Sequence, residues 1–163
     1  MKWIKDDIWN AWKYCGLLVV PSSSQLSSDG RLIMRRGILR DVLERFPGTD
    51  RLFGDMINSV CGSRGLFWYM RHPEVERIAL LQTRLAYKST LDLEVFAMSL
   101  NSVDALARYK ADQDLGGYDP EFRIIMSKPA AGADYVLGDE IARHLSMLPD
   151  NVYVYTIGKI PII

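Results

Sequence analysis

The run Leu17-Leu18-Val19-Val20 constrains this chain more than any other feature. Four consecutive apolar residues leave no side for water, and the run is too short for a helix. It suits a strand buried on both faces, the kind found in parallel sheets covered by helices. Pro21 follows immediately and is expected to end the strand.

The rest of the chain alternates in the same sense. Met34, Ile38, Val42 and Phe46 recur every four residues and predict a helix with one buried stripe, its first turns carrying Arg35 and Arg36, stopped by Pro47-Gly48. A short helix is expected over Leu52–Val60, and strands over Leu66–Met70 and Arg77–Gln82. Ser89-x-x-Asp92 has the form of a capping box. The helix it opens carries Leu93, Phe96, Leu100, Val103 and Ala107 on one face. A strand over Phe122–Met126, a helix marked by Leu137, Ile141, Leu145 and Leu148, and a closing strand over Asn151–Ile157 complete the pattern. Strands alternating with helices predict an α/β fold, a central sheet covered on both faces. Ligands bind such sheets on the loops that follow strand ends, here 21–30 and 127–134.

Composition removes several function classes. A length of 163 residues fits one domain spanning 1–163, since domains run roughly 100–200 residues. Twenty Lys plus Arg against twenty Asp plus Glu argue against strong non-specific nucleic-acid binding, which needs an excess of cations. Two cysteines, Cys15 and Cys61, are too few for a disulfide framework and are read as reduced. No apolar run approaches the roughly 20 residues that cross a bilayer, and residues 1–12 lack a signal-peptide core, so no membrane partner is expected and a cytoplasmic location is.

Each loop admits two readings. Ser22, Ser23, Ser24, Ser27 and Ser28, a helix start and the nearby Arg35, Arg36 and Arg40 favour an anion such as phosphate. They also describe a hydroxyl-rich turn beside a solvated arginine face, with Arg40 and Glu44 at ordinary helix-pair spacing. Ser127-Lys128-Pro129-Ala130-Ala131-Gly132-Ala133-Asp134 offers small residues that let backbone approach a ligand, or else a plain strand-to-helix connection capped by Asp134.

These segments together resemble the macrodomain-like proteins, in a divergent bacterial and phage branch. Lys5-Asp6-Asp7-Ile8 is similar to that family's Gly-Asp-Ile segment. Pro21, Gly30, Ile33-Met34, Gly37 and Arg45-Phe46-Pro47-Gly48 fall in register with its Ile-Pro-Thr-Asn-Gly, Gly, Val-Met, glycine-rich helix start and Phe-Pro-Gly elements. Gln82-Thr83-Arg84 to Leu100 resembles its strand and capped helix, and Lys128–Gly132 stands where its phosphate-binding loop lies.

The resemblance implies a three-layer α/β/α sandwich with a mixed sheet that binds ADP-ribose or a related nucleotide, with no cofactor. By position it assigns Asp7 to the adenine amino group and the Ile8 backbone to the ring. Ser22, Ser23 and Ser24 would line the distal ribose, Gly37 would let the first helix approach, and Ala130, Ala131, Gly132 and Ala133 would wrap the diphosphate, with Lys128 and Arg35 beside it. Three departures stand out. Ser23 replaces the family's asparagine, Arg35 stands where glycine is common, and Ala130 and Ala131 replace glycines. A serine hydroxyl reaches less far than an amide. Three functional classes therefore remain open. One is a binder of ADP-ribose or of an ADP-ribosylated macromolecule. Another is an ADP-ribosyl hydrolase or ADP-ribose-1″-phosphate phosphatase using Ser23 as its catalytic residue. The last is a degenerate domain acting through a protein partner.

Other constellations carry less. His72 and His144 have no partner at metal spacing. Cys61-Gly62-Ser63-Arg64-Gly65 lacks an identifiable base. Trp3, Trp9 and Trp12 have partly helical spacing and are read as an anchor for the N-terminal segment.

Overall fold

The computed structural model describes residues 1–129 and 135–161. Among them, six strands form one sheet: β1 Lys2–Lys5, β2 Leu17–Ser22, β3 Tyr69–Arg71, β4 Ile78–Gln82, β5 Ile124–Ser127 and β6 Val152–Thr156. The α-helices are α1 Gly37–Arg45, α2 Thr49–Val60, α3 Leu93–Ala111 and α4 Tyr135–Ser146. The strand order is β1-β6-β5-β2-β4-β3, and only the β3–β4 pair is antiparallel.

The apolar run in β2 explains the layering. Leu18 and Val20 enter a core with Leu39 and Val42 of α1 and Phe53 and Ile57 of α2. Leu17 and Val19 point the other way, into a core with Phe96, Leu100 and Val103 of α3 and Ile141 and Leu145 of α4. All four residues of the run are fully buried. A strand's side chains alternate, so a strand with helices on both faces must be apolar at every position. The result is the expected α/β/α sandwich with a mixed sheet.

Pro21 does not end β2, contrary to the sequence expectation; the strand runs through it to Ser22. The ladder gives the reason. The Leu18 N–H donates to Arg77 and the Ser22 carbonyl accepts from Thr83, so even-numbered residues face β4. The Leu17 N–H donates to Arg123 on the β5 side. Pro21 is odd, and pairing with β5 has already stopped at Val19–Met126. The missing N–H therefore forfeits no ladder bond.

Other boundaries differ as well. Helix α1 begins at Gly37, which has φ +57°, with Arg36 extended before it, so Arg35 and Arg36 precede the helix instead of riding on it. Helix α2 begins at Thr49 because Gly48, at φ +93°, turns the chain directly from one helix into the next. Asp92 alone caps α3, accepting the Val95 N–H at 3.1 Å, while Ser89 closes the preceding turn by donating to the Ala86 carbonyl at 2.7 Å. Trp3 lies in β1, an edge strand the sequence pattern did not disclose. Its segment carries no apolar run because only one neighbour, β6, pairs with it.

Trp9 and Trp12 do anchor the N-terminal segment. Their rings meet edge to face at 5.8 Å, and Trp12 meets Phe46 at 5.6 Å. The Arg77 guanidinium sits 4.2 Å over the Trp12 ring and donates to the carbonyls of Trp12 and Cys15. Cys15 and Cys61 are unpaired thiols. No helix among the described residues is long and apolar enough to cross a membrane.

Candidate functional site

Strands β1, β6, β5, β2 and β4 are mutually parallel, so their C-terminal ends share one edge of the sandwich. The segments leaving that edge carry Asp6-Asp7, Ser22-Ser23, Thr83-Arg84, Ser127-Lys128 and Thr156-Ile157. Two cavities open there. The first, about 550 Å³, is lined by Asp6, Asp7, Ile8, Trp9, Asp41, Tyr155, Thr156 and Ile157. The second, about 410 Å³, is lined by Pro21, Ser22, Ser23, Arg36, Gly37, Leu39, Arg84 and Tyr87. Ile38, Ser127, Lys128 and Pro129 line both, so the cavities adjoin as one groove. Each volume lies within the roughly 300–1,000 Å³ of small-molecule sites.

Backbone bonds fix the groove's floor. The Lys128 N–H donates to Tyr155 at 3.0 Å, extending the β5–β6 ladder past Ser127. Thr83 donates to Ser22 at 2.9 Å and Asp92 to Thr83 at 2.8 Å, which ties the β4–α3 loop to the end of β2. Gln82, fully buried, accepts from the amides of Phe67 and Trp68 and donates to the Gly65 carbonyl.

Asp7 is held by local geometry. One oxygen of its carboxylate accepts the Trp9 N–H at 3.0 Å, capping the turn Ile8–Asn10. Its own amide donates to Asp6 at 2.8 Å. Among the described residues no group bonds its second carboxylate oxygen. Ile8 is buried and lines the same cavity.

The serines are largely spoken for. Ser22 and Ser23 are 2% and 3% exposed. The Ser22 hydroxyl donates to the Ser23 carbonyl at 2.8 Å, and the Ser23 oxygen accepts the Gln25 N–H at 3.2 Å. Ser24 donates to Leu85 at 3.3 Å and lines neither cavity. Arg35 is exposed and also lines neither, so it does not fill the groove. Lys128 and Gly37 line it. Ala130, Ala131, Gly132 and Ala133 lie outside the described residues.

Charge divides the groove. Three carboxylates, Asp6, Asp7 and Asp41, line the first cavity. Arg36, Arg84 and Lys128 line the second, with no carboxylate or imidazole among its described lining residues. Burial pushes the Arg84 guanidinium below its ordinary value, and its one described bond runs to the Ser89 carbonyl at 3.1 Å. Helix α1 begins at this cavity, and no side chain caps it. Such an N-terminus favours an anion. Arg36 was expected near an anion and Pro129 lies in the expected loop 127–134, but Arg84 and Tyr87 were not anticipated as lining residues. Only the strand-and-loop match at Gln82-Thr83-Arg84 pointed toward them.

No cluster of His, Cys, Asp and Glu suited to a metal occurs among the described residues. His72 accepts the Glu74 N–H through Nδ1, and the His144 ring packs against Phe96.

A six-stranded mixed sheet between two helical layers, with its groove at the parallel strand ends, is the macrodomain fold. Solved structures bear this out. The macrodomain of Thermus aquaticus DarG superposes with a TM-score of 0.59 over 94% of this chain and 95% of its own, at 12% identity. The macrodomain of Mycobacterium tuberculosis DarG gives 0.61 over 94% and 95%, at 13% identity. Thermosipho africanus DarTG, solved in complex with ADP-ribose, gives 0.61 over 98% of this chain and 42% of its own, at 14% identity. No protein-family model and no curated protein matches the chain by sequence.

Proposed function

We propose that this protein binds ADP-ribose or a closely related nucleotide in the groove between residues 21–30 and 127–134. The observation that carries the reading is the adjoining of the two cavities along Ile38, Ser127, Lys128 and Pro129. It puts Asp7 and the α1 N-terminus on one continuous groove. The purine amino group would donate to the second carboxylate oxygen of Asp7, with Ile8 beneath the ring. The diphosphate would lie near Lys128 and the first turn of α1, and the terminal ribose beside Ser22 and Ser23. The solved complex of Thermosipho africanus DarTG with ADP-ribose lends support from the same fold.

Isothermal titration calorimetry with ADP-ribose tests the proposal. Saturable one-to-one heat supports it, and no heat at millimolar ligand refutes it.

A further inference from the structure

A third cavity, about 670 Å³, is lined by residues of β1, β5 and β6 and meets the groove only at Tyr155. Strand register explains its floor. Ile125 pairs with Tyr153, and Ile4 with Tyr155, so these four side chains leave the sheet on one face. None of the described residues lining the cavity belongs to an α-helix; Ala11, Tyr14 and Cys15 of the N-terminal segment border it instead. Tyr14 is 79% exposed, and Tyr153 and Tyr155 are half-buried. Three phenol rings thus line one opening, each with an apolar body and a polar tip.

Two charged residues line the same cavity, Arg123 and Glu121, both exposed. Neither forms an ion pair with the other or with any described residue. The Arg123 backbone is held in place, since its carbonyl accepts the Gly16 N–H at 2.9 Å. Its guanidinium lies 5.1 Å from the centre of the Tyr153 ring.

This pair of opposite charges narrows the ligand. An anion would meet Arg123 but also face Glu121, and a cation would meet the reverse. A neutral ring would leave both charges without a partner. A zwitterion satisfies both at once, and the tyrosine rings favour an aromatic body between them.

We infer that this cavity is a binding site for a free aromatic α-amino acid. Arg123 donates to its carboxylate, Glu121 accepts from its ammonium group, and its ring packs among Tyr14, Tyr153 and Tyr155 over Ile4 and Ile125. The site lies beyond the proposed nucleotide groove and does not rest on it.

Calorimetric titration of the full chain with L-phenylalanine, its amide and its N-acetyl derivative tests the site. The amide lacks the carboxylate charge, and acetylation removes the ammonium charge. The free amino acid should bind the wild type one-to-one. Each derivative should bind at least about tenfold more weakly, as for a lost charge-assisted hydrogen bond. Arg123→Gln should bind L-phenylalanine as weakly as the wild type binds the amide. Glu121→Gln should bind it as weakly as the wild type binds the N-acetyl derivative. Both side chains are exposed, so the thermal midpoints of the variants should match that of the wild type. No saturable heat from L-phenylalanine at millimolar concentration overturns the site. Equal binding of the amino acid and either derivative, or undiminished binding by either variant, overturns it too. Failure of all three proteins to bind ADP-ribose leaves the amino-acid result standing and overturns only the nucleotide reading.

Discussion

The indole nitrogen of Trp9 donates to Asp41 Oδ2 at 3.1 Å, joining the N-terminal segment to helix α1 across the groove's first cavity. The Arg45 guanidinium covers the same indole at 4.0 Å. Because the Trp9 amide is also the group capped by Asp7, one residue couples the carboxylate proposed to meet the purine to the helix whose N-terminus lines the second cavity. Position and stability are therefore linked at this edge.

Asp7→Asn should separate the cap from the recognition. An asparagine oxygen still accepts the Trp9 N–H, but its amide nitrogen then meets the purine amino group donor to donor. The expected outcome is at least about tenfold weaker ADP-ribose binding by calorimetry. The thermal midpoint should stay close to that of the wild type. Unchanged affinity would remove Asp7 from the purine site.

Trp12→Ala should destabilise the fold by about 3 kcal/mol, because it deletes an aromatic packed against Trp9 and Phe46 and covered by Arg77. Urea unfolding measures this. A cost under about 0.5 kcal/mol, the range of ordinary surface changes, would mean the anchor is ornamental.

Gly54→Ala tests how closely α2 approaches the loop leading into α1. A Cβ at Gly54 would collide with the Gly30 carbonyl and come within 2.9 Å of the Leu32 nitrogen, both backbone atoms. Leu32 is fastened there by its N–H bond to the Asp50 carbonyl at 2.9 Å, so the loop cannot easily yield. Overpacking of this kind costs about 1–3 kcal/mol. Chemical denaturation at neutral pH should show it, and weaker ADP-ribose binding should accompany it.

Gln82→Leu keeps the volume of a fully buried side chain and removes its polar atoms. The amides of Phe67 and Trp68 and the carbonyl of Gly65 then lose their partner. The expected loss is about 2–4 kcal/mol, as for a broken buried network. A stability equal to that of the wild type would show that the loop finds other partners.

Stability should decline on the alkaline side. Burial pushes Cys15 above the ordinary thiol value of 9.0 and Tyr69 above the ordinary phenol value of 10.0. The folded state thus holds these protons more tightly than the unfolded state. Their contribution is complete below the unfolded values and is lost as pH rises through them toward the folded values. Urea midpoints should hold steady to about pH 8, below the unfolded thiol value, and then fall. Cys15→Ala should reduce the early part of that slope, and an unaltered slope would exclude the thiol.

Much of the fold was legible because burial writes itself into periodicity. The run 17–20, the stripe at Phe96, Leu100, Val103 and Ala107, and the alternation of Val152 and Val154 with Tyr153 and Tyr155 each announced which face was covered. Strand β1 was illegible for the same reason in reverse, since an edge strand needs no continuous apolar face. Helix starts were misplaced where glycine with positive φ, at Gly37 and Gly48, governed the turn, because composition does not report a dihedral angle.

The chain's own pattern determined the layers, the parallel sheet and the loops that would face a ligand, since these follow from which residues must leave water. Tertiary structure alone decided which side chains share the groove. It brought Arg36, Arg84 and Tyr87 together from segments about fifty residues apart, and it left Ser24 and Arg35 outside. Contacts between distant segments depend on strand order and register, and no local spacing encodes those.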